Sequence, residues 1–185
     1  MGGLVPSRLP WVSRPNETNP VRVESNPRGV HAQAMSQSLA KILVHTVFST
    51  KDRTPFLRDH ELRKQLHQYL GGILNKLDCQ PIIVGGVEDH VHFLCSLSRS
   101  REASAMVKEV KRGSSLWLKG RGSELHDFAW QSGYGIFSIG VSQIESVRSY
   151  IAEQEKHHKK ISFQDEYRLF LRKYEIPFDE RHVWD

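Results

Sequence analysis

The stretch DHVHFLCSL, residues 89–97, largely alternates in character from one residue to the next and predicts a β-strand with two unlike faces. Successive side chains on a strand point to opposite faces, so residues two apart share a face at a spacing of about 6.6 Å. One face carries an apolar row that we expect to pack against helices, formed by Val91, Phe93, Cys95 and Leu97. His90 and His92 lie on the other face, which we expect to be exposed.

Patterns on both sides of this strand predict the other elements of the chain. Segments rich in β-branched and aromatic residues predict strands over residues 40–49 and 80–86, and a glycine-punctuated segment predicts another over 135–139. Apolar residues at helical spacing predict helices over residues 59–77, 102–119 and 162–174. A polar helix is predicted over residues 141–159. Asp59 is placed to cap the first of these helices.

The elements follow one another in the order strand, helix, strand, strand, helix, strand, and then helices. This order predicts an α+β fold, a ferredoxin-like βαββαβ sandwich with an antiparallel sheet and additional C-terminal helices. In the predicted sandwich the helices cover one face of the sheet and leave the other open. An open face would be a docking surface for a partner subunit or for nucleic acid.

The first 34 residues differ in composition from the rest of the chain. They hold five of the eight prolines and show no apolar periodicity, so too little apolar surface is available to offset chain entropy. The sequence therefore predicts a disordered or non-native N-terminal extension over residues 1–34 and one domain over residues 35–185. We expect the native domain to start at Met35.

Composition limits the class of protein. The 185 residues are 38% hydrophobic and 25% charged, which is typical of a globular chain. No run approaches the roughly 18 apolar residues of a membrane span, and the N-terminus lacks the features of a secretory signal. Cys79 and Cys95 lack zinc-site spacing and fit buried thiols in a reducing cytoplasm. We expect a cytoplasmic protein without a membrane partner, whose net charge of +5 permits nucleic-acid binding without establishing it.

Two pairs of residues carry candidate chemistry. His90 and His92 can bind one metal ion because their imidazoles share a strand face, although paired surface histidines without a metal are common. Tyr150 and Gln154 lie four residues apart on a predicted helix, so their side chains share a stripe about 6 Å apart. A tyrosine attacks a phosphodiester when a cation polarises the phosphate and a base accepts the proton, and a glutamine oxygen can ligate that cation. Packing of Tyr150 in the core, with Gln154 in solvent, is the alternative.

Further candidates lie outside these pairs. Tyr134, between two glycines, is the rival nucleophile, although no ligand-type residue accompanies it at helical spacing. Lys108, Lys111 and Arg112 share one face of a predicted helix. Such a face is either solvated or in contact with phosphates, and we predict DNA binding for it.

Four segments resemble the single-tyrosine HUH transposases of small insertion sequences, the IS-two-hundred-like group. They are HTVFSTKDRTPFL (45–57), DHVHFL (89–94), WQSGYGIFSIGVSQIESVRSYIAEQEKHH (130–158) and FQDEYRLFLRKYEI (163–176). HUH denotes two histidines around a hydrophobic residue, here His90-Val91-His92. The resemblance runs from about Met35 to the C-terminus in the family's order and spacing, and the proline-rich extension is not part of it.

The resemblance implies roles for the matching residues. Tyr150 matches the nucleophile that forms a 5′-phosphotyrosine link to single-stranded DNA, His90 and His92 match the metal ligands, and Gln154 matches the third ligand. It also implies Mg²⁺ or Mn²⁺ as cofactor, and hairpins at the ends of the element as substrate, cut and rejoined without ATP. The implied assembly is a homodimer, in which the tyrosine helix of one subunit often completes the other's site.

Some points stay open on the sequence alone. His45 matches a histidine often seen in the family, but its role is unassigned, and we expect His157 and His158 to lie outside the metal's ligands. The implied function is that of a transposase that cleaves and rejoins single-stranded DNA. The alternative is a domesticated or non-catalytic hairpin-DNA binding protein of the same fold. A relaxase or replication initiator fits a short chain with one candidate nucleophile less well.

Overall fold

The computed structural model describes residues 39–184, which form one antiparallel sheet and five α-helices. The strands are β1 (Ile42–Ser49), β2 (Gln80–Gly86), β3 (His90–Leu97) and β4 (Gly135–Ile139), in the spatial order β2-β3-β1-β4. The helices are α1 (His60–Lys76), α2 (Ala103–Lys119), α3 (Ile144–Ala152), α4 (Gln154–His157) and α5 (Phe163–Lys173).

The connections confirm the predicted ferredoxin-like fold. Helix α1 joins β1 to β2 with β3 between them in the sheet, and α2 joins β3 to β4 with β1 between them. The additional C-terminal helices are α3, α4 and α5. The extension predicted for residues 1–34 and the predicted domain start at Met35 lie outside the described residues. Among residues 39–184, no helix has the length and apolar character needed to cross a membrane.

The first face of the sheet packs against α1 and α2, as the alternation of β3 predicts. Val91, Phe93 and Cys95 are fully buried in this first core, and Leu97 is packed at its edge. The two helices contribute apolar stripes, whose fully buried members include Leu66, Leu70, Leu74, Met106 and Val110. Burying a side chain of this kind contributes about 1.5–3 kcal/mol relative to leaving it exposed.

Helix α1 begins where the sequence places its cap. The Asp59 carboxylate accepts a hydrogen bond from the Leu62 backbone N–H at 2.8 Å, which satisfies one of the otherwise unpaired donors of the first turn. Cys79 and Cys95 are buried free thiols, as expected.

The second face of the sheet is covered, so the prediction of an open face is wrong. Helices α3 and α5 pack over it and form a second core with Leu43, Val47, Leu94 and Phe137 of the strands. The physical reason lies in β1, whose sequence ILVHTVFS carries apolar side chains on both faces. An apolar second face is stable only under another layer, and the amphipathic α5 supplies it.

The polar helix predicted over residues 141–159 is interrupted. Helix α3 ends at Ala152, and α4 begins at Gln154 after Glu153, whose φ of −98° and ψ of 17° are not helical. The end of α3 packs closely against β2 at Gly85. A Cβ atom at this glycine would lie 2.6 Å from the Ile151 carbonyl oxygen, too close for any side chain to fit. The absence of a side chain at Gly85 therefore lets the tyrosine-bearing helix approach the histidine-bearing side of the sheet.

Candidate active site

The second core contains the polar residues that the sequence singled out. His90 and His92 are fully buried beneath the C-terminal helices, so their predicted exposure is wrong. Gln154 and Tyr150 are also buried, with exposed fractions of 1% and 4%. The structure thus brings these four residues together inside the molecule, although they come from β3, α3 and α4.

Each histidine of the pair is held by a hydrogen bond at Nδ1. His90 Nδ1 lies 2.6 Å from an Asp89 carboxylate oxygen, and His92 Nδ1 lies 3.0 Å from His45 Nε2 on the neighbouring strand. Both imidazoles therefore turn Nε2 inward, which is the arrangement that orients histidines towards a metal. This contact also gives His45 a role that the sequence leaves open, since it fixes the ring of His92.

Helix α5 adds a residue that sequence reasoning missed. Glu166 is fully buried, and one of its carboxylate oxygens, Oε2, lies 3.4 Å from His92 Nε2 and 3.5 Å from His158 Nε2. The signal was present in the sequence, because Glu166 stands within the apolar stripe of α5, next to Phe163 and Phe170 in helical spacing. An acidic residue in an apolar stripe indicates a buried partner.

Gln154 lies at the edge of the same cluster. Its Oε1 atom is 3.4 Å from His90 Nε2, and its Nε2 atom donates a hydrogen bond of 3.2 Å to Glu166. The predicted ligand oxygen therefore faces one of the predicted ligand nitrogens.

The cluster fits a divalent cation. Ligand atoms of His90, His92, His158 and Glu166 all lie within 4.8 Å of one another. His92 Nε2, His158 Nε2 and Glu166 Oε2 are buried and make no hydrogen bond within the described chain. Buried polar atoms without hydrogen bonds are costly, and a shared ion would satisfy all three. His158, which we expected to lie outside the ligands, is part of this set.

Burial controls the protonation of these groups. Burial, reinforced by the charges of neighbouring histidines, lowers the pKa of His92 well below its ordinary value, and burial and His90 lower the pKa of His158 to about 4. The imidazoles of His92 and His158 are therefore neutral at pH 7, as ligation requires. Burial, and then the charge of Asp89, raises the pKa of Glu166 well above its ordinary value. A cation would offset this cost of ionising Glu166.

Tyr150 lies beside the cluster. Its ring centroid is 5.9 Å from that of His92 and 5.0 Å from that of His157, with both pairs in edge-on contact. All three residues belong to the same chain, so the described chain brings its own tyrosine to its own histidines. The rival Tyr134 packs against the first core instead, with Lys111 Nζ 5.6 Å from its ring centroid.

The predicted DNA-binding residues lie on α2, which covers the face of the sheet opposite the histidines. Lys108 and Arg112 are exposed. Lys111 is half-buried, and its ammonium group donates to the carbonyl oxygens of Gln131 at 2.9 Å and Ser132 at 3.2 Å, and to that of Gly133. Lys111 thus stabilises a loop, and burial lowers its pKa to about 8.

A groove of about 650 Å³ reaches the cluster from the surface. Its inner wall includes Asp89 and His158, and its outer wall carries Arg53, Arg58 and Lys159. These three cations form no ion pair within residues 39–184, and the lining also contains Glu88 and the ion-paired Arg63 and Glu155.

Known proteins resemble the chain in both sequence and fold. A family profile described as "Transposase IS200 like" matches residues 38–154. The crystal structure of a candidate transposase from Deinococcus radiodurans R1 is similar to 66% of this chain and 98% of that chain, with a TM-score of 0.51 and 19% identity. The structure of a REP-associated tyrosine transposase bound to a REP hairpin is similar to 70% of this chain and 76% of that chain, with a TM-score of 0.50 and 12% identity. No curated protein sequence matches the chain.

Proposed function

Because the chain belongs to the IS200-like transposase family, we propose that it cleaves and rejoins single-stranded DNA with Tyr150 as its nucleophile. The observation that carries the proposal is the edge-on contact of the Tyr150 ring with His92, inside a cluster that fits a divalent cation. If Tyr150 served only to pack the core, a cluster of metal-ligand side chains would not be needed beside it.

The residues that would hold the ion are His90 and His92 with Gln154, as the family resemblance implies, in the cluster that also contains His158 and Glu166. When bound, a divalent cation supplies positive charge that polarises the scissile phosphate. Mg²⁺ or Mn²⁺ is the expected cofactor from the resemblance.

The chain's own residues account for the covalent step. The phenolic oxygen of Tyr150 attacks phosphorus, a new bond forms between that oxygen and the 5′ phosphate, and the bond to the 3′ oxygen breaks. Burial, and then the charge of His90, lowers the pKa of His157, so its imidazole is neutral and can accept the phenolic proton. The leaving 3′ oxygen takes up a proton. Attack by another 3′ hydroxyl reverses these changes and rejoins a strand without ATP.

The DNA strand enters by the groove in this proposal. Its lining includes Arg53, Arg58 and Lys159, which form no ion pair within residues 39–184, and also His158 of the cluster and Asp89, which contacts His90. Tyr150 is 4% exposed, so its side chain must become more accessible when a phosphodiester reaches the site. A hairpin at the element's end is the proposed substrate, since a solved structure of the same fold holds a REP hairpin.

A homodimer remains a prediction. The described chain contains the tyrosine and the histidines together, so a second subunit is not needed to complete the site in this arrangement. Dimerisation would instead hold two DNA ends near each other during strand exchange.

One gel tests the proposed function. Single-stranded hairpin oligonucleotides from DNA flanking the coding sequence are labelled at the 3′ end and incubated with the protein and Mn²⁺ or EDTA. We expect a denaturant-resistant protein–DNA band with Mn²⁺ and none with EDTA, because the 3′ fragment carries the 5′-phosphotyrosine. Hairpin binding without any such band, with either addition, would instead support the alternative of a non-catalytic binding protein.

The position of the DNA can be tested by comparing two basic surfaces. We expect the double substitution Arg53→Gln and Arg58→Gln to weaken single-stranded DNA binding. It should also make the slope of log K against log[salt] less steep by about 1.4, because each of the two lost phosphate contacts contributes about 0.7 to that slope. Fluorescence anisotropy over a salt series measures both quantities.

Lys108→Gln with Arg112→Gln is the matched control, because it removes the same charge from α2. We expect this pair to change affinity less than the groove pair does. A larger loss for the α2 pair would contradict the groove assignment and favour the DNA contact predicted for α2 from the sequence.

A further inference from the structure

We propose that Glu166 and His158 are themselves ligands of the ion, so that three imidazoles and one carboxylate join the Gln154 amide in a centre that selects a transition-metal ion over Mg²⁺. The inference deepens the proposed function and rests on it for the use of the ion, but not for the binding of the ion. Under this inference, α5 supplies a ligand of the ion and also packs over the second face of the sheet.

Two distances between ligand atoms match those around a single ion. Bonds of about 2.0–2.2 Å from an ion to nitrogen or oxygen place neighbouring ligand atoms about 3.0–3.5 Å apart. Glu166 Oε2 lies 3.4 Å from His92 Nε2 and 3.5 Å from His158 Nε2. These separations are too long for good hydrogen bonds, and none of the three atoms makes one within the described chain.

The orientation of His158 also suits a ligand. Its Nδ1 atom lies 2.9 Å from the Ile161 carbonyl oxygen, and a carbonyl only accepts, so Nδ1 carries the proton. Nε2 then presents its lone pair to the cluster. His90 is fixed in the same way by the Asp89 carboxylate at 2.6 Å, so both histidines are held in the tautomer that binds metal through Nε2.

The surroundings of Glu166 suit the binding of a cation. The carboxylate is fully buried, and its neighbours within 4 Å include imidazoles of His92, His157 and His158 and the amide of Gln154. Among residues 39–184 no lysine or arginine pairs with it. Buried carboxylates are paired with a charge or coordinate a metal, and the second case fits this cluster.

The donor set decides which ion is preferred. Imidazole nitrogen suits Zn²⁺ and other transition metals, and carboxylate oxygen suits Mn²⁺, so a mixed set of donors can hold Mn²⁺. Mg²⁺ requires near-ideal octahedral oxygen coordination and retains several waters, which a buried site with three imidazoles does not provide. The site therefore favours Mn²⁺ or Co²⁺ over Mg²⁺. Of the two cofactors expected from the sequence, Mg²⁺ and Mn²⁺, it prefers Mn²⁺.

Metal binding measured without DNA tests the inference. Isothermal titration of the full chain with Mn²⁺ and with Mg²⁺ gives the two affinities, and visible absorption of bound Co²⁺ reports the donor set. We expect Mn²⁺ to bind at least about 100-fold more tightly than Mg²⁺. Glu166→Gln should weaken Mn²⁺ binding by more than about 100-fold and change the Co²⁺ spectrum, because a ligand loss exceeds the 10- to 100-fold typical of outer residues.

Asp165→Asn is the matched control, since it removes an exposed carboxylate one residue away on the same helix. It should leave Mn²⁺ affinity and the Co²⁺ spectrum unchanged. His158→Asn provides an independent variant if Glu166→Gln does not fold, and should weaken Mn²⁺ binding to a similar extent. Wild-type Mn²⁺ affinity and Co²⁺ spectrum in a folded Glu166→Gln or His158→Asn protein, or Mg²⁺ binding as tight as Mn²⁺, would overturn the inference. Because no DNA is present, these outcomes are independent of whether Tyr150 forms an adduct.

Discussion

Tyr150→Phe should abolish the covalent protein–DNA product while leaving hairpin binding intact. The substitution removes only the phenolic oxygen, which is the attacking atom in the proposed reaction, so we expect adduct formation to fall by about 10⁴-fold or more. The ring of Tyr150 keeps its packing in the second core, and loss of one hydroxyl changes the free energy of unfolding by about 1 kcal/mol. Denaturing gels of 3′-labelled hairpin DNA measure the adduct, and anisotropy measures binding.

Tyr134→Phe is the matched control for this experiment. It makes the same chemical change at a tyrosine that packs against the first core, on the other side of the sheet from the histidines. We expect it to form adducts at the wild-type rate. Adducts that persist in Tyr150→Phe and disappear in Tyr134→Phe would reverse the assignment of the nucleophile.

His92→Gln should reduce adduct formation by about a thousand-fold. The substitution removes a proposed ligand nitrogen, which lies 3.4 Å from Glu166. Loss of the cation removes several kcal/mol of transition-state stabilisation, and about 4 kcal/mol corresponds to a thousand-fold lower rate. His92 is fully buried, so the change also lowers the free energy of unfolding, by about 1–3 kcal/mol. The adduct gel is therefore read together with a thermal unfolding curve, at a temperature where the variant is folded.

Two comparisons sharpen this result. His126→Gln makes the same change at a histidine whose side chain is 84% exposed, and should keep wild-type activity. A mixture of Tyr150→Phe and His92→Gln chains should remain inactive, because the structure places both residues of one site in the same chain. Recovery of adducts in the mixture would show instead that two chains share a site in solution.

The order of elements was predictable because it depends on local patterns. The period of two in residues 89–97 and the helical spacing of apolar residues in 59–77 are properties of adjacent residues, and the structure places β3 and α1 there. The Asp59 cap is equally local. The break at Glu153 was not predictable, because it accompanies the contact between Ile151 and Gly85, which lie far apart in sequence.

The residues of the candidate site also differ in whether local sequence predicts them. The pair His90 and His92, and the pair Tyr150 and Gln154, each carry a signal within five residues, so the sequence and the family resemblance identify them together. Glu166 and His158 become candidate ligands only when α5 packs across the sheet, and His45 gains its role only when β1 pairs with β3. Side-chain patterns report which face a residue occupies, but not what covers that face.

The sequence by itself therefore determined the βαββαβ order, the strand face shared by the two histidines, and the family to which the chain belongs. Only the tertiary structure decided that this face is buried, that Glu166 enters the cluster, and that Tyr150 meets the histidines of its own chain. The physical reason is that secondary structure follows from interactions between near neighbours. A metal centre depends on distances between residues that are remote in sequence, and packing of the apolar second face sets those distances.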